Sequence, residues 1–97
     1  MTIAHLLHVF YIEYVLMPKN TLCSESRLKT INNEHDCEDA TIDIATKDSF
    51  VVKTFHDHPT GCYIETYKGD TYGHFNRNDN GTRHKYSAPI CKSISGK

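Results

Sequence analysis

The chain carries no excess of charge of either sign: 11 basic and 12 acidic residues are spread along 97 positions and leave a formal net charge of -1. That balance excludes the basic footprint of a nucleic-acid binder or an anionic-membrane binder. Long hydrophobic runs are also missing. The most apolar stretch, Ile3 to Met17, contains His5, His8 and Glu13. It is shorter than the roughly 20 residues a membrane-spanning helix needs, so the chain is not expected to span a membrane. The same stretch has neither a basic start nor a small-x-small cleavage pattern, and so reads poorly as a signal peptide. No Gly-x-Ser-x-Gly elbow, P-loop or dinucleotide fingerprint occurs, and the scattered Asp and Glu residues single out no carboxylate pair. The expectation is a protein that is not an enzyme and needs no cofactor. Internal repeats, heptads and low-complexity segments are absent too.

Apolar content is low as well, at 38% hydrophobic residues and a mean hydropathy of -0.54. A single domain of this size sits near the lower limit at which a hydrophobic core sustains folding unaided, so covalent staples would help. Four cysteines are present: Cys23, Cys37, Cys62 and Cys91. An even count in so short a chain points to a disulfide framework. Each closed loop would contribute roughly 3 to 4 kcal/mol in the chain-entropy model, comparable with the whole stability of a small domain. Zinc ligation by cysteine is a poorer reading. Structural zinc draws on close pairs such as Cys-x2-Cys, whereas the only near pair here is His35 with Cys37. A Cys/His nucleophile would need a free thiol beside a base, and bridging is the better use of all four sulfurs.

Local patterns place the elements. Ala4 to Leu16 suits a strand as well as a helix, and Pro18-Lys19-Asn20 ends it. A helix is predicted from an Asn33 N-cap to about Ala45, with Glu34 and Asp36 in its first turn and Cys37, Ala40, Thr41 and Ile44 on one inward face. Ser49 to Phe55 reads as a strand. Cys62 to Tyr67 and Asp70 to Phe75 form a hairpin about Lys68-Gly69, and Ser87 to Lys92 is a last short strand. Asn76 to Arg83 is a polar loop in which Asn80-Gly81 can supply positive φ, and Ser93 to Lys97 is expected to fray.

Several of these pieces form a larger pattern: Ile31-x5-Cys37-Glu38-x-Ala40, Pro59-x-Gly61-Cys62-Tyr63, Phe75-Asn76, Gly81 and the closing Ile90-Cys91-Lys92. Together they resemble a small cysteine-rich module of predicted extracellular algal and protist proteins whose function is uncharacterised. The helix departs from that module, being polar and β-branched at Ala40-Thr-Ile-Asp-Ile44, and the N-terminal segment has no counterpart in it. The resemblance implies a fold and an extracellular or secretory location, not an activity. Four cysteines allow three pairings, and the sequence alone does not choose among them. The favoured one ties Cys37 to Cys62, helix to first hairpin strand, and Cys23 to Cys91, the two ends of the domain.

Four groups of residues are candidates for chemistry. His56 and His58 alternate on an extended segment and can share a metal, with His35, His74 or a carboxylate completing the set. The plainer reading is an exposed polar turn before Pro59. Asn76-Arg-Asn-Asp-Asn-Gly81 is similar to the start of a calcium loop, yet it begins with Asn and its twelfth position is Ser87, so a hydrogen-bonded turn fits better. Asn80-Gly81-Thr82 is an N-glycosylation sequon. Tyr63, Tyr67, Tyr72 and Phe75 on one hairpin offer either cross-strand packing, the favoured reading, or a stacking platform for a sugar or protein partner.

The resulting expectation is a small disulfide-stapled α+β domain, one helix on a short antiparallel sheet. It divides into an apolar segment at 1–20, a stapled domain at 21–92 and a tail at 93–97. Its expected role is a structural or binding module with a protein partner or a larger assembly. A carbohydrate-binding module and a histidine-based metal-binding module are the alternatives.

Overall fold

The computed structural model describes residues 10–45 and 49–96. Among these residues, six strands and one helix follow in the order β1 (Phe10–Leu16), β2 (Lys29–Thr30), α1 (Glu34–Ala45), β3 (Phe50–Lys53), β4 (Gly61–Tyr67), β5 (Asp70–Asn76) and β6 (Ser87–Gly96), with a 3-10 turn at Cys23–Ser26. The sheet runs β1-β6-β4-β5-β3, and β2 lies against β6 beyond the end of β4. Neighbours are antiparallel except β3 and β5, which are parallel, so the sheet is mixed.

The helix starts where its cap dictates. Asn33 Oδ1 accepts from the Asp36 backbone N–H at 2.8 Å, and Asn33 Nδ2 donates to the Asp36 carboxylate at 2.7 Å. One orphan donor of the first turn is thereby satisfied, while Glu34 and Asp36 place negative charge at the positive end of the dipole. The twelve residues of the helix turn Cys37, Ala40 and Thr41 inward, where they are buried, with Ile44 partly covered behind them. Below them the register puts Cys62, Ile64, Phe75, Gly73 and Ile90 on the same sheet face. Ile31 and Ile90 are fully buried, and side chains of this kind contribute about 1.5–3 kcal/mol each when removed from water. The helix approaches closely at one point, since a Cβ on Gly73 would sit 2.2 Å from Thr41 Cγ2. Glycine is the residue that lets Thr41 rest on the strand.

Two disulfides staple this arrangement: Cys37–Cys62 joins helix to sheet inside the core, and Cys23–Cys91 ties the 3-10 turn to β6. They are the pairings favoured from the sequence. Lys68 and Gly69, both at positive φ, close the β4–β5 hairpin as expected. Gly61 also has positive φ and begins β4 directly against the Ile31 carbonyl, where a Cβ would be 2.6 Å away.

Two expectations are corrected. Residues 93–96 are not a frayed tail but the continuation of β6, because β1 pairs with it without interruption from Leu16↔Ile90 to Phe10↔Gly96. Backbone groups that would fray are consumed by that ladder. Phe10–Leu16, part of the apolar segment at 1–20, is an added edge strand of the domain's own sheet, and its Tyr14 packs on the core. Residues 1–9 and Lys97 lie outside the described residues. Finally, neither Asn80 nor Gly81 has positive φ. Gly81 is needed for space, since a Cβ there would meet the His58 carbonyl oxygen and the Thr60 amide nitrogen at 2.4 Å.

Candidate functional site

Strand alternation sends the other half of the sheet's side chains to the face away from α1, and there the sequence is aromatic and ionisable. Tyr63 and Glu65 of β4 lie opposite His74 and Tyr72 of β5, and opposite Pro89 and Ser87 of β6. The loops after β3 and β5 fold over this face and bring His58 and His84 onto it. Four rings form a column. His84 stacks on His58 at 4.0 Å and 12°, His58 on Tyr63 at 5.5 Å and 25°, and Tyr63 on His74 at 4.9 Å and 8°. Phe55 flanks it, 4.6 Å from the His58 ring.

The loops hold their shape through one buried side chain. Asn76, at the end of β5, accepts from the Phe55 and Asn78 backbone N–H groups at 2.8 and 3.1 Å. Its amide donates to the carbonyls of Phe55, His58 and Pro59 at 3.0 to 3.2 Å. Asn78 adds a bond to the Phe55 carbonyl and accepts from the Asn80 amide. Asn76 and Asn78, two of the residues read as possible calcium ligands, thus spend side-chain polar atoms on the backbone, in a hydrogen-bonded turn.

Charge gathers at the solvent end of the column. The His58 side chain is 13% exposed and has a carboxylate at each ring nitrogen, Asp57 Oδ1 2.8 Å from Nδ1 and Glu65 Oε1 3.2 Å from Nε2. Glu65 Oε1 also accepts from Ser87 Oγ at 2.9 Å and lies 3.5 Å from His84 Nδ1. The Tyr86 backbone N–H donates to that same His84 nitrogen at 3.2 Å. One donor atom from each of Asp57, His58 and His84 falls within 4.8 Å of the others. The hydrogen bond from His58 holds the Asp57 carboxyl below its usual range. Deeper in the column, burial pushes the His74 imidazole down and the Tyr63 phenol up, the charges of Glu65 and Asp57 adding to the latter. Among the described residues, the Tyr63 hydroxyl and His74 Nδ1 have no hydrogen-bonding partner.

Of the residues singled out from the sequence, His58 stands in this cluster. His56 lies outside it, with Nδ1 3.4 Å from the Asn78 amide nitrogen, and His35 is on the far side of the molecule's core, paired with Asp39 one helical turn away. His74 enters the column as a stacking partner. Among the hairpin aromatics, Tyr63 and Phe75 are buried on opposite faces, Tyr72 is half-buried, and Tyr67 is exposed. They do not form one surface. Asn80 is exposed, as a glycan acceptor must be. His84 and Glu65 were missed because neither has a recognisable spacing to His58. Two shallow depressions of about 220 and 200 Å³ share Thr60 and Asp79, smaller than the roughly 300 Å³ at which ligand pockets begin. Among the described residues, no helix is long and apolar enough to cross a membrane. Comparison with family models, curated proteins and solved structures found no match.

Proposed function

We propose that the chain is a non-enzymatic, disulfide-stapled binding module of the extracellular or secretory space, acting as a small subunit of a larger assembly. The observation that carries the reading is strand β1. Among the described residues it pairs with β6 alone, so its second edge presents free backbone donors and acceptors. Its side chains offer apolar area, Ile12 being 57% and Leu16 48% exposed. Edge strands are ordinarily guarded by proline, lysine or a bulge. Phe10–Leu16 has none of these, and Glu13 is its sole charge. A strand of this kind suits a partner that extends the sheet, with backbone bonds supplying affinity and alternate side chains the selectivity. Two bridges and no free thiol fit an oxidising compartment.

Native mass spectrometry of the protein from its natural source tests the reading. A mass above that of one chain is expected, falling to the monomer when Ile12 and Leu16 are both changed to Lys. A wild-type monomer under the same conditions would overturn it. Under denaturing conditions the chain should weigh four hydrogens less than its reduced form, with a further increment if Asn80 carries a glycan.

A further inference from the structure

Backbone alternation along β1 fixes what its open edge offers. The Met17 N–H donates to the Pro89 carbonyl at 2.8 Å, and the β1–β6 register runs on from that pair without a bulge. In an antiparallel ladder, residues that bond the neighbouring strand alternate with residues that point away from it. Glu13 and Val15 therefore bond β6, while Ile12, Tyr14 and Leu16 turn their N–H and C=O groups toward the open edge. The side chains of these same three residues lie on the α1 face, since Tyr14 packs on the core there and Leu16 stands opposite buried Ile90. A strand added to β1 would place the side chains opposite Ile12, Tyr14 and Leu16 on that face too.

The helix flank above it is acidic. Asp36, Asp39 and Asp43 recur at one-turn spacing along α1. Their flank is the one turned to β1, because Glu34 on the other flank pairs with Arg77 just past β5. The Tyr14 phenol is pushed up by burial and by the charges of all three aspartates, which agrees with that placement. Asp36 accepts from the Asn33 side-chain amide, and Asp39 lies 3.5 Å from His35 Nε2. Among the described residues, neither Lys92, across from Tyr14 on β6, nor any other Lys or Arg pairs with the three. Exposed Glu13 adds a further negative charge on the strand itself.

We propose, on the reading of β1 as the docking edge, that the strand it receives comes from a basic partner protein, an extended segment with Lys or Arg at alternate positions. Backbone bonds to Ile12, Tyr14 and Leu16 hold the segment in register. The aliphatic stems of its basic residues lie over the exposed Ile12 and Leu16 side chains, and their charged heads reach the aspartates of α1. A second copy of this chain is disfavoured by the same charges. Pairing β1 with another β1 about a two-fold axis would put both helices on one face of the joined sheet, with two acidic stripes across a single junction.

The test titrates two acetylated peptides of strand length, one alternating Lys with Val and the other Glu with Val, into the oxidised full-length protein at low salt, read by fluorescence anisotropy. The Lys peptide should bind at least about tenfold tighter than the Glu peptide, and the margin should shrink as salt rises. Asp39→Asn combined with Asp43→Asn, which leaves Asp36 at the helix cap, should weaken the Lys peptide about three- to tenfold. Amide exchange of the wild-type chain reads the docking without any variant. Ile12, Tyr14 and Leu16 should become protected when the Lys peptide is added, whereas Glu13 and Val15 are protected already. Equal binding of the two peptides, or Lys-peptide binding undiminished in the double variant, with those three amides protected, would overturn the basic partner and leave the edge-strand reading standing. Lys-peptide binding that leaves the three amides unprotected would overturn both, and no binding of either peptide would overturn the proposal while the native mass still judges the edge strand.

Discussion

On the helix-covered face of the sheet, Cys37, Ala40, Ile64, Phe75 and Ile90 exclude water with hydrocarbon and one disulfide. On the opposite face, His84, His58, Tyr63 and His74 do so with rings that carry polar atoms. The buried centre of the first face holds no titratable group once the sulfurs are bridged, and the phenol of Tyr14, packed at its edge, is pushed up by burial and by the nearby helix carboxylates. The second is a set of titratable groups stacked on one another and roofed by loops that Asn76 and Asn78 pin together. The same sheet thus joins a covalently stapled core to a chemically responsive surface. One strand supplies both, because alternate residues of β4 point to opposite sides.

Breaking the staples gives the largest expected effects. Replacing Cys23 and Cys91 together should cost about 4 kcal/mol, and replacing Cys37 and Cys62 about 3.5 kcal/mol plus a packing loss, in the chain-entropy account of closed loops. Urea unfolding of the two double variants reads both. If the core pair costs less than the outer pair by more than the loop-length difference, the sulfurs are not central to the packing under α1. Next comes the roof of the other face. Asn76→Ala leaves the Phe55 amide and three loop carbonyls without their present partner, and should cost about 3 kcal/mol. His58 and His84 should lose their stacked arrangement in the same variant, visible in their ring-proton shifts.

The contact of helix with sheet is tested at Gly73. Gly73→Ala should cost about 1–3 kcal/mol through overpacking against Thr41. Adding Thr41→Ser removes the nearest atom and should restore part of the loss, a coupling that a double-mutant cycle measures. If the two changes are additive, the helix does not rest on the strand there.

Protons should act on the ring column with two opposite signs. Burial holds the His74 imidazole below its ordinary value, so the unfolded chain binds that proton more readily. Its contribution to stability is complete above about pH 6.5 and is lost as pH falls toward the depressed folded value. Tyr63, pushed upward, acts at the other end, with its contribution complete below about pH 10 and lost as pH rises beyond it. Unfolding free energy measured across this range should decline at both ends, and His74→Phe should flatten the acid limb. An unchanged acid limb in that variant would assign it to other groups. The smallest effect is expected at the exposed pair of Glu34 with Arg77, where Arg77→Ala should change stability by no more than about 1 kcal/mol.

Elements with a local signal were legible. Asn33 announces the helix by the bond its side chain makes three residues on, Lys68-Gly69 announces the hairpin by its φ angles, and Cys37 faces inward because Ala40, Thr41 and Ile44 share its stripe. The N-terminal strand was ambiguous because a short apolar run satisfies two periods equally. Only its partner, residues 90–96, makes it a strand, and the last of these, residues 93–96, looked like a tail for want of that partner. The candidate site was half legible. His58 carried a signal in the His-x-His spacing, but His84 and Glu65 reach it from a different loop and a different strand.

By itself, the sequence determined what depends on neighbours a few residues apart: a capped helix, a hairpin and a stapled framework of four cysteines. The tertiary structure alone decided the β1–β6 ladder, the close seat of Thr41 on Gly73, the loop fastened by Asn76 and the meeting of His58 with His84. Each of these joins atoms distant in sequence, through geometry that exists only after the sheet has formed. Periodicity records which side of an element is buried, but not which other element will lie against it.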